Sequence, residues 1–222
     1  MARHRLRFSK TGRAIYISHL DLMRTMQRAF PRAGVRIRHT EGFNPHAYIS
    51  VALPLSLGME SGCELLDFEV IDGTSLTDLP ELLTRHLPEG ICVTEAYEAE
   101  RKVKEIAFLR LTGTLEYDAL PDTANMAARL DAFFGKNSIL VTKLTKKKEQ
   151  TEVDIAPLIR EITFASDGAN RVRMDAVVAA QNPSLNPGLL LDALAQTAPE
   201  LSPDFARFAR VEVYDKEMGV FW

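Results

Sequence analysis

Apolar residues recur along this chain in two rhythms, and the switches between them mark its elements. Residues 5–16 alternate around a Lys10-Thr11-Gly12 turn, which reads as a strand or a hairpin-like strand. Leu22, Met23, Met26, Ala29, Phe30 and Ala33 then return at helical spacing. Ser18-His19-Leu20-Asp21 supplies the start of that helix and Gly34 its end. Residues 35–38 and 47–54 read as two strands joined by residues 39–46. Residues 63–71 alternate again, residues 76–87 form a second amphipathic helix closed by Pro88-Glu89-Gly90, and residues 91–96 form a strand. From Lys104 the order repeats: a strand over 106–117, a helix over 123–134 closed by Gly135, and short strands over 139–147, 151–155 and 160–165. A strand over 171–180, a helix opened by Asn186-Pro187 and running through Ala195, and a strand over 208–214 complete the chain.

Each half therefore reads strand-helix-strand-strand-helix-strand, with an extra hairpin strand inserted. The expected class is α+β: two tandem ferredoxin-like (βαββαβ) subdomains with antiparallel sheets, each burying one sheet face under two helices. The first subdomain spans 1–100 and carries a basic N-terminal face; the second spans 101–222. The boundary falls in the charged stretch 97–104. No recognisable identity links the halves, so the repeat is one of pattern.

Composition narrows the class. With 46% hydrophobic and 26% charged residues among 222, the chain has the make-up of a soluble globular protein. Its apolar runs fall far short of the roughly 20 residues of a membrane helix. The N-terminus is charged without an apolar segment, unlike a secretory signal. Cys63 and Cys92 stand apart with no CxxC, which argues against a disulfide framework or structural zinc and for a reducing cytoplasm; both read as small buried hydrophobes.

The formal charge of −3 hides an asymmetry. Residues 1–46 hold ten basic and two acidic residues, a net of +8, while the remaining 176 carry 17 basic and 28 acidic residues, a net of −11. Four of the five histidines also lie in the first 46. Such clustering points to a polyanion on one face, expected to combine Arg5, Arg7, Lys10, Arg13, Arg24, Arg28, Arg36 and Arg38. Arg24, Arg28 and Arg32 form one stripe along the first helix, with the spacing of contacts to a phosphate backbone. Arg36 and Arg38 share one strand face. The alternative for all of these is a solvated, solubilising surface.

Residues 39–46, His-Thr-Glu-Gly-Phe-Asn-Pro-His, are the most unusual stretch. Gly42 permits a positive φ and Asn44-Pro45 favours an extended path that turns, so Phe43 is expected at a loop tip. An exposed aromatic beside Arg36, Arg38, His39 and His46 suits base stacking. The alternative is a plain hairpin loop with Phe43 folded back as a core anchor. A metal site would need His39, Glu41 and His46 to converge without a helical pair to position them, and none is expected. Lys146, Lys147 and Lys148 at a hairpin end are either solvated or form the second wall of a cleft.

Several stretches together resemble a known family. They are Phe8-Ser-Lys-Thr-Gly12, Tyr16-Ile-Ser-His-Leu-Asp-Leu22, Arg28-Ala29, Glu41-Gly-Phe-Asn-Pro-His46, Ile49-Ser-Val-Ala-Leu-Pro-Leu-Ser-Leu-Gly58, Glu64 with Leu66-Asp67, and Val153-Asp-Ile155 with Pro157-Leu-Ile159. The chain resembles, over nearly its whole length, a radical-SAM-associated bacterial domain family of uncharacterised function, found alone or fused behind a B12-binding radical SAM module. Pro31 stands where that resemblance leads one to expect a basic residue, and Ala47-Tyr48 where it leads one to expect Pro-Lys. The resemblance implies a radical SAM protein as partner and structured RNA, tRNA or rRNA, as context. The chain has no CxxxCxxC motif for the radical enzyme's cluster, no Walker lysine loop and no dinucleotide GxGxxG. The expected role is a non-catalytic RNA-binding accessory module, with no cofactor and no membrane contact. The alternatives are a protein-docking adaptor anchored by Phe43 and a metal-independent endoribonuclease using His19, His39 and His46.

Overall fold

The computed structural model describes residues 3–118, 122–144 and 150–222. The chain is α+β, with mostly antiparallel strands and four α-helices among the described residues. It divides into two compact units, residues 1–105 with Trp222, and residues 106–221.

The first unit runs β1 (His4–Lys10), α1 (His19–Arg32), β2 (Ser50–Val51), β3 (Glu60–Phe68), α2 (Leu79–Thr84) and β4 (Ile91–Glu98). Its strands lie in the order β4-β1-β3-β2, each antiparallel to its neighbour. Leu6 and Phe8 of β1 and Leu66 and Phe68 of β3 face the helices. Leu22, Met26, Ala29 and Phe30 of α1 and Leu79 and Leu83 of α2 pack onto them. The Phe30 and Phe68 rings are 5.2 Å apart. Burying each such side chain contributes about 1.5–3 kcal/mol. Gly90 is required where it stands: at φ +89° a Cβ would meet the Thr11 carbonyl oxygen at 2.3 Å, while Thr11 N–H donates to the Gly90 carbonyl at 2.8 Å.

The second unit runs β5 (Phe108–Glu116), α3 (Thr123–Phe134), β6 (Leu140–Leu144), β7 (Gln150–Asp154), β8 (Ile159–Ser166), β9 (Arg171–Ala179), α4 (Gly188–Thr197) and β10 (Phe205–Tyr214). Its sheet order is β10-β5-β9-β8, again antiparallel, and β6–β7 form a separate hairpin. Gln196 of α4 holds that hairpin: its amide accepts from Thr142 N–H and donates to the Thr142 carbonyl, both at 2.9 Å.

Several elements depart from the sequence reading. Residues 12–16 form a short 3₁₀ helix rather than the continuation of a strand. Residues 35–38 and 47–54 hold only the bridges Ile37–Val70 and His39–Ala47 and the two-residue β2. α2 has six residues in place of the twelve expected: Pro80 cannot donate to an earlier turn, so the helix starts at Leu79, and it ends at Thr84. Cys63 is buried but Cys92 is exposed, and neither is in a disulfide. Among the described residues no helix is long and apolar enough to cross a membrane.

Candidate nucleic-acid interface

The loop over residues 40–46 is closed at its base by the His39–Ala47 bridge and by Thr40. Thr40 N–H donates to the His46 carbonyl at 2.8 Å, and Thr40 Oγ1 accepts from His46 N–H at 3.1 Å. The same hydroxyl lies 3.1 Å from His46 Nδ1, which fixes the ring. Gly42 takes φ +127°, a conformation that side chains rarely adopt. Glu41, Gly42, Phe43, Asn44, Pro45 and His46 are all exposed, and Phe43 has a relative accessibility of 113%. A ring that buries nothing in its own fold is available to stack on a base or to enter a partner's pocket.

The basic residues do not share one face. Arg5 is fully buried: β1–β3 register sets it opposite Asp67, and its Nε and Nη2 donate to the two Asp67 oxygens at 2.6 and 3.2 Å. Lys10, expected at the interface, is 2% exposed and donates to the Ile15 carbonyl at 3.0 Å. Burial lowers its pKa, opposed by the charge of Glu64. Both side chains are buried and held inside the fold, so neither can reach a phosphate. Arg7 is half-buried, with its guanidinium 4.9 Å from the Trp222 ring centre. Arg38 pairs with Glu69 at 3.2 Å and lies over the Tyr48 ring. Arg24 pairs with Asp21 at 3.1 Å. Arg13 and Arg36 are exposed, and the Arg36 N–H donates to Asp72 at 2.7 Å. Lys146, Lys147 and Lys148 lie outside the described residues.

Arg28 and Arg32 do meet further cations. They line an open pocket of about 520 Å³ with Thr25 of α1 and with Arg85, His86 and Pro88 beyond α2. No carboxylate lines it; Arg85 pairs with Glu81 one turn back. Sequence reading passed over Arg85 and His86. Their only signal is a basic pair at the end of a helix, 53 positions beyond Arg32. Among the described residues no three His, Cys, Asp or Glu side chains are grouped to hold a metal ion.

Residues 3–187 match the family described as an uncharacterized protein conserved in bacteria (DUF2344). The chain belongs to this family. A comparison with curated proteins finds no match to this DUF2344 member. Among solved structures, it is similar to a chain of a Cbf5-Nop10-Gar1 complex, with 7% identity and a TM-score of 0.52 over 95% of its own length. It spans about half, 48%, of that chain. A second similar structure is an unknown protein from Galdieria sulphuraria, at 14% identity and TM-score 0.27, covering 95% of this chain and 98% of that one. The first of these likenesses is one of fold.

Proposed function

We propose that this chain is a non-catalytic RNA-binding accessory module. It presents a structured tRNA or rRNA segment to a radical SAM RNA-modifying enzyme. The observation that carries the reading is the pocket where Arg28 and Arg32 of α1 converge with Arg85, just beyond α2, beside His86 and with no carboxylate on the wall. Cations gathered this way bind phosphates, and exposed arginines do so with directional hydrogen bonds. Phe43 adds a fully exposed ring on the same unit. In both units the last, first, third and second main strands lie in that order, which supports two ferredoxin-like subdomains. The radical SAM partnership rests on the sequence resemblance. The two cysteines of this chain cannot supply the three of a CxxxCxxC cluster motif, so the chemistry belongs to the partner.

The test is electrophoretic mobility of the purified chain with total tRNA and rRNA fragments, beside the Arg28→Ala/Arg32→Ala/Arg85→Ala variant. The wild type is expected to shift RNA and the variant to lose at least about tenfold in affinity. No shift by the wild type at low salt, or equal shifts by both proteins, overturns the reading.

A further inference from the structure

A second cavity in the first unit has a different character. It measures about 440 Å³, within the range of about 300–1,000 Å³ usual for small-ligand sites. Pro31, Val35, Ile37, Ala47 and Ile71 supply its apolar lining. Val35 and Ile37 are core residues at 3% exposure, whereas Ile71 is 48% exposed. Its polar lining is Gln27, Arg36 and His39, and no carboxylate is among its lining residues. The His39–Ala47 bridge that closes the Phe43 loop forms part of the wall, so the loop rises from the rim of the cavity.

The polar groups match a base and its phosphate. Gln27 offers an amide with both donor and acceptor, the side chain suited to bidentate contact with a base edge. Pro31 has no N–H to give to the Gln27 carbonyl four residues back. His39 Nδ1 lies 3.0 Å from the Ile37 carbonyl, which can only accept, so Nδ1 donates there and Nε2 is the ring nitrogen left for a ligand. The Arg36 side chain is exposed, while its backbone N–H is held by Asp72. The Asp72 carboxylate also accepts from Thr74 N–H and hydroxyl at 3.0 and 2.6 Å, and it is not among the residues that line the cavity. Apolar walls, base-edge donors and acceptors, and a cation on a lining that includes no carboxylate are the chemistry of a nucleotide site.

We infer that this cavity takes one unpaired nucleobase, with Arg36 on its phosphate and Gln27 and His39 on its edge. The inference rests on the RNA reading and sharpens it: the module grips phosphates at Arg28, Arg32 and Arg85 and holds a single extruded base here. A flipped-out base gives up its stacking, a cost that is least where it is already unpaired, so loops and bulges are the expected RNA sites.

The experiment titrates AMP, CMP, GMP, UMP and, separately, inorganic phosphate into the full ¹⁵N-labelled chain and follows amide resonances. The same titrations use Gln27→Ala, which removes the amide, and Gln27→Trp, which fills the cavity from a half-buried helix position. At least one nucleotide is expected to shift Gly34, Arg36, Ile37, His39, Ala47 and Ile71, where phosphate alone does not. Gln27→Ala should weaken that response about fivefold and Gln27→Trp should abolish it. No shift, a shift reproduced by inorganic phosphate, or a shift unaltered in Gln27→Trp overturns the base site. A parallel arm measures tRNA binding. Wild-type tRNA binding with no nucleotide response sinks the base site and leaves the RNA reading standing. A nucleotide response with no tRNA binding at any salt sinks the RNA reading and assigns the cavity to a free nucleotide.

Discussion

Phe43 and Arg5 mark opposite ends of what a residue near a basic segment can do. Phe43 buries no area in its own fold, so truncating it removes nothing that holds the chain together. Phe43→Ala is expected to leave the melting temperature within about a degree and to weaken RNA binding by about 1–3 kcal/mol. Calorimetry beside a binding titration checks both, and a melting temperature that falls steeply with unchanged affinity would return the ring to the core. Arg5 behaves in reverse. Its guanidinium is fully buried on Asp67 and also donates to the Arg101 carbonyl at 3.1 Å. Removing one partner of a buried pair leaves the other charge uncompensated, so Arg5→Ala should cost about 3–5 kcal/mol of stability. Urea unfolding measures that loss, and RNA affinity per folded molecule should stay constant.

At the scale of elements, α1 was legible and its neighbours less so. Its apolar positions keep period 3.6 over three turns, and Ser18 caps it as the sequence suggests, accepting from Asp21 N–H at 3.2 Å. Ser18→Ala should therefore lower stability by about 1 kcal/mol in thermal unfolding. The helix over 123–134 was equally clear, though its cap is Asp122. Residues 35–38 and 47–54 alternate like strands but pair only at two single bridges and over Ser50–Val51, since alternation reports burial of one face and not a pairing partner. The pocket of Arg28, Arg32 and Arg85 was hidden for a related reason. Its arginines 28 and 85 lie far apart in sequence and meet only through packing of α1 against the same core as α2. The burial of Arg5 was hidden because its counter-charge stands 62 residues away. In the second unit, Tyr117 donates to the Leu201 carbonyl at 3.0 Å, and burial, aided by the charge of Asp204, pushes its phenol up to about 12 from 10.0. A raised acid favours its neutral form in the fold. Its stabilisation is thus full below pH 10 and is lost as pH rises through about 12. Tyr117→Phe should cost about 1 kcal/mol at pH 7 and flatten the fall in urea midpoint across that alkaline window.

For the whole molecule, charge location matters more than charge total. The +8 of residues 1–46 is offset within its own unit, because residues 1–105 hold fourteen basic and fourteen acidic residues. Asp67 and Glu69 of that unit already engage Arg5 and Arg38. Under the proposed RNA-binding reading, long-range attraction is therefore weak, and the contacts come from the few cations left at the surface. Counterion release sets the consequence. Three phosphate contacts, at Arg28, Arg32 and Arg85, should give log affinity a slope of about −2 against log salt on single-stranded RNA, at about −0.7 per contact. Each single alanine substitution should flatten the slope by about 0.7. The plot should also bend over at the lowest salt. Near 0.01 M the screening length reaches about 30 Å, and the unit's fourteen carboxylates begin to repel the same RNA that the pocket attracts. A uniformly basic protein would keep gaining affinity there. Filter binding of a tRNA fragment from 0.01 to 0.3 M salt distinguishes the two shapes. A slope that the substitutions leave untouched would move the contacts away from this pocket, and affinity independent of salt would favour the docking of a protein on Phe43 over the binding of RNA.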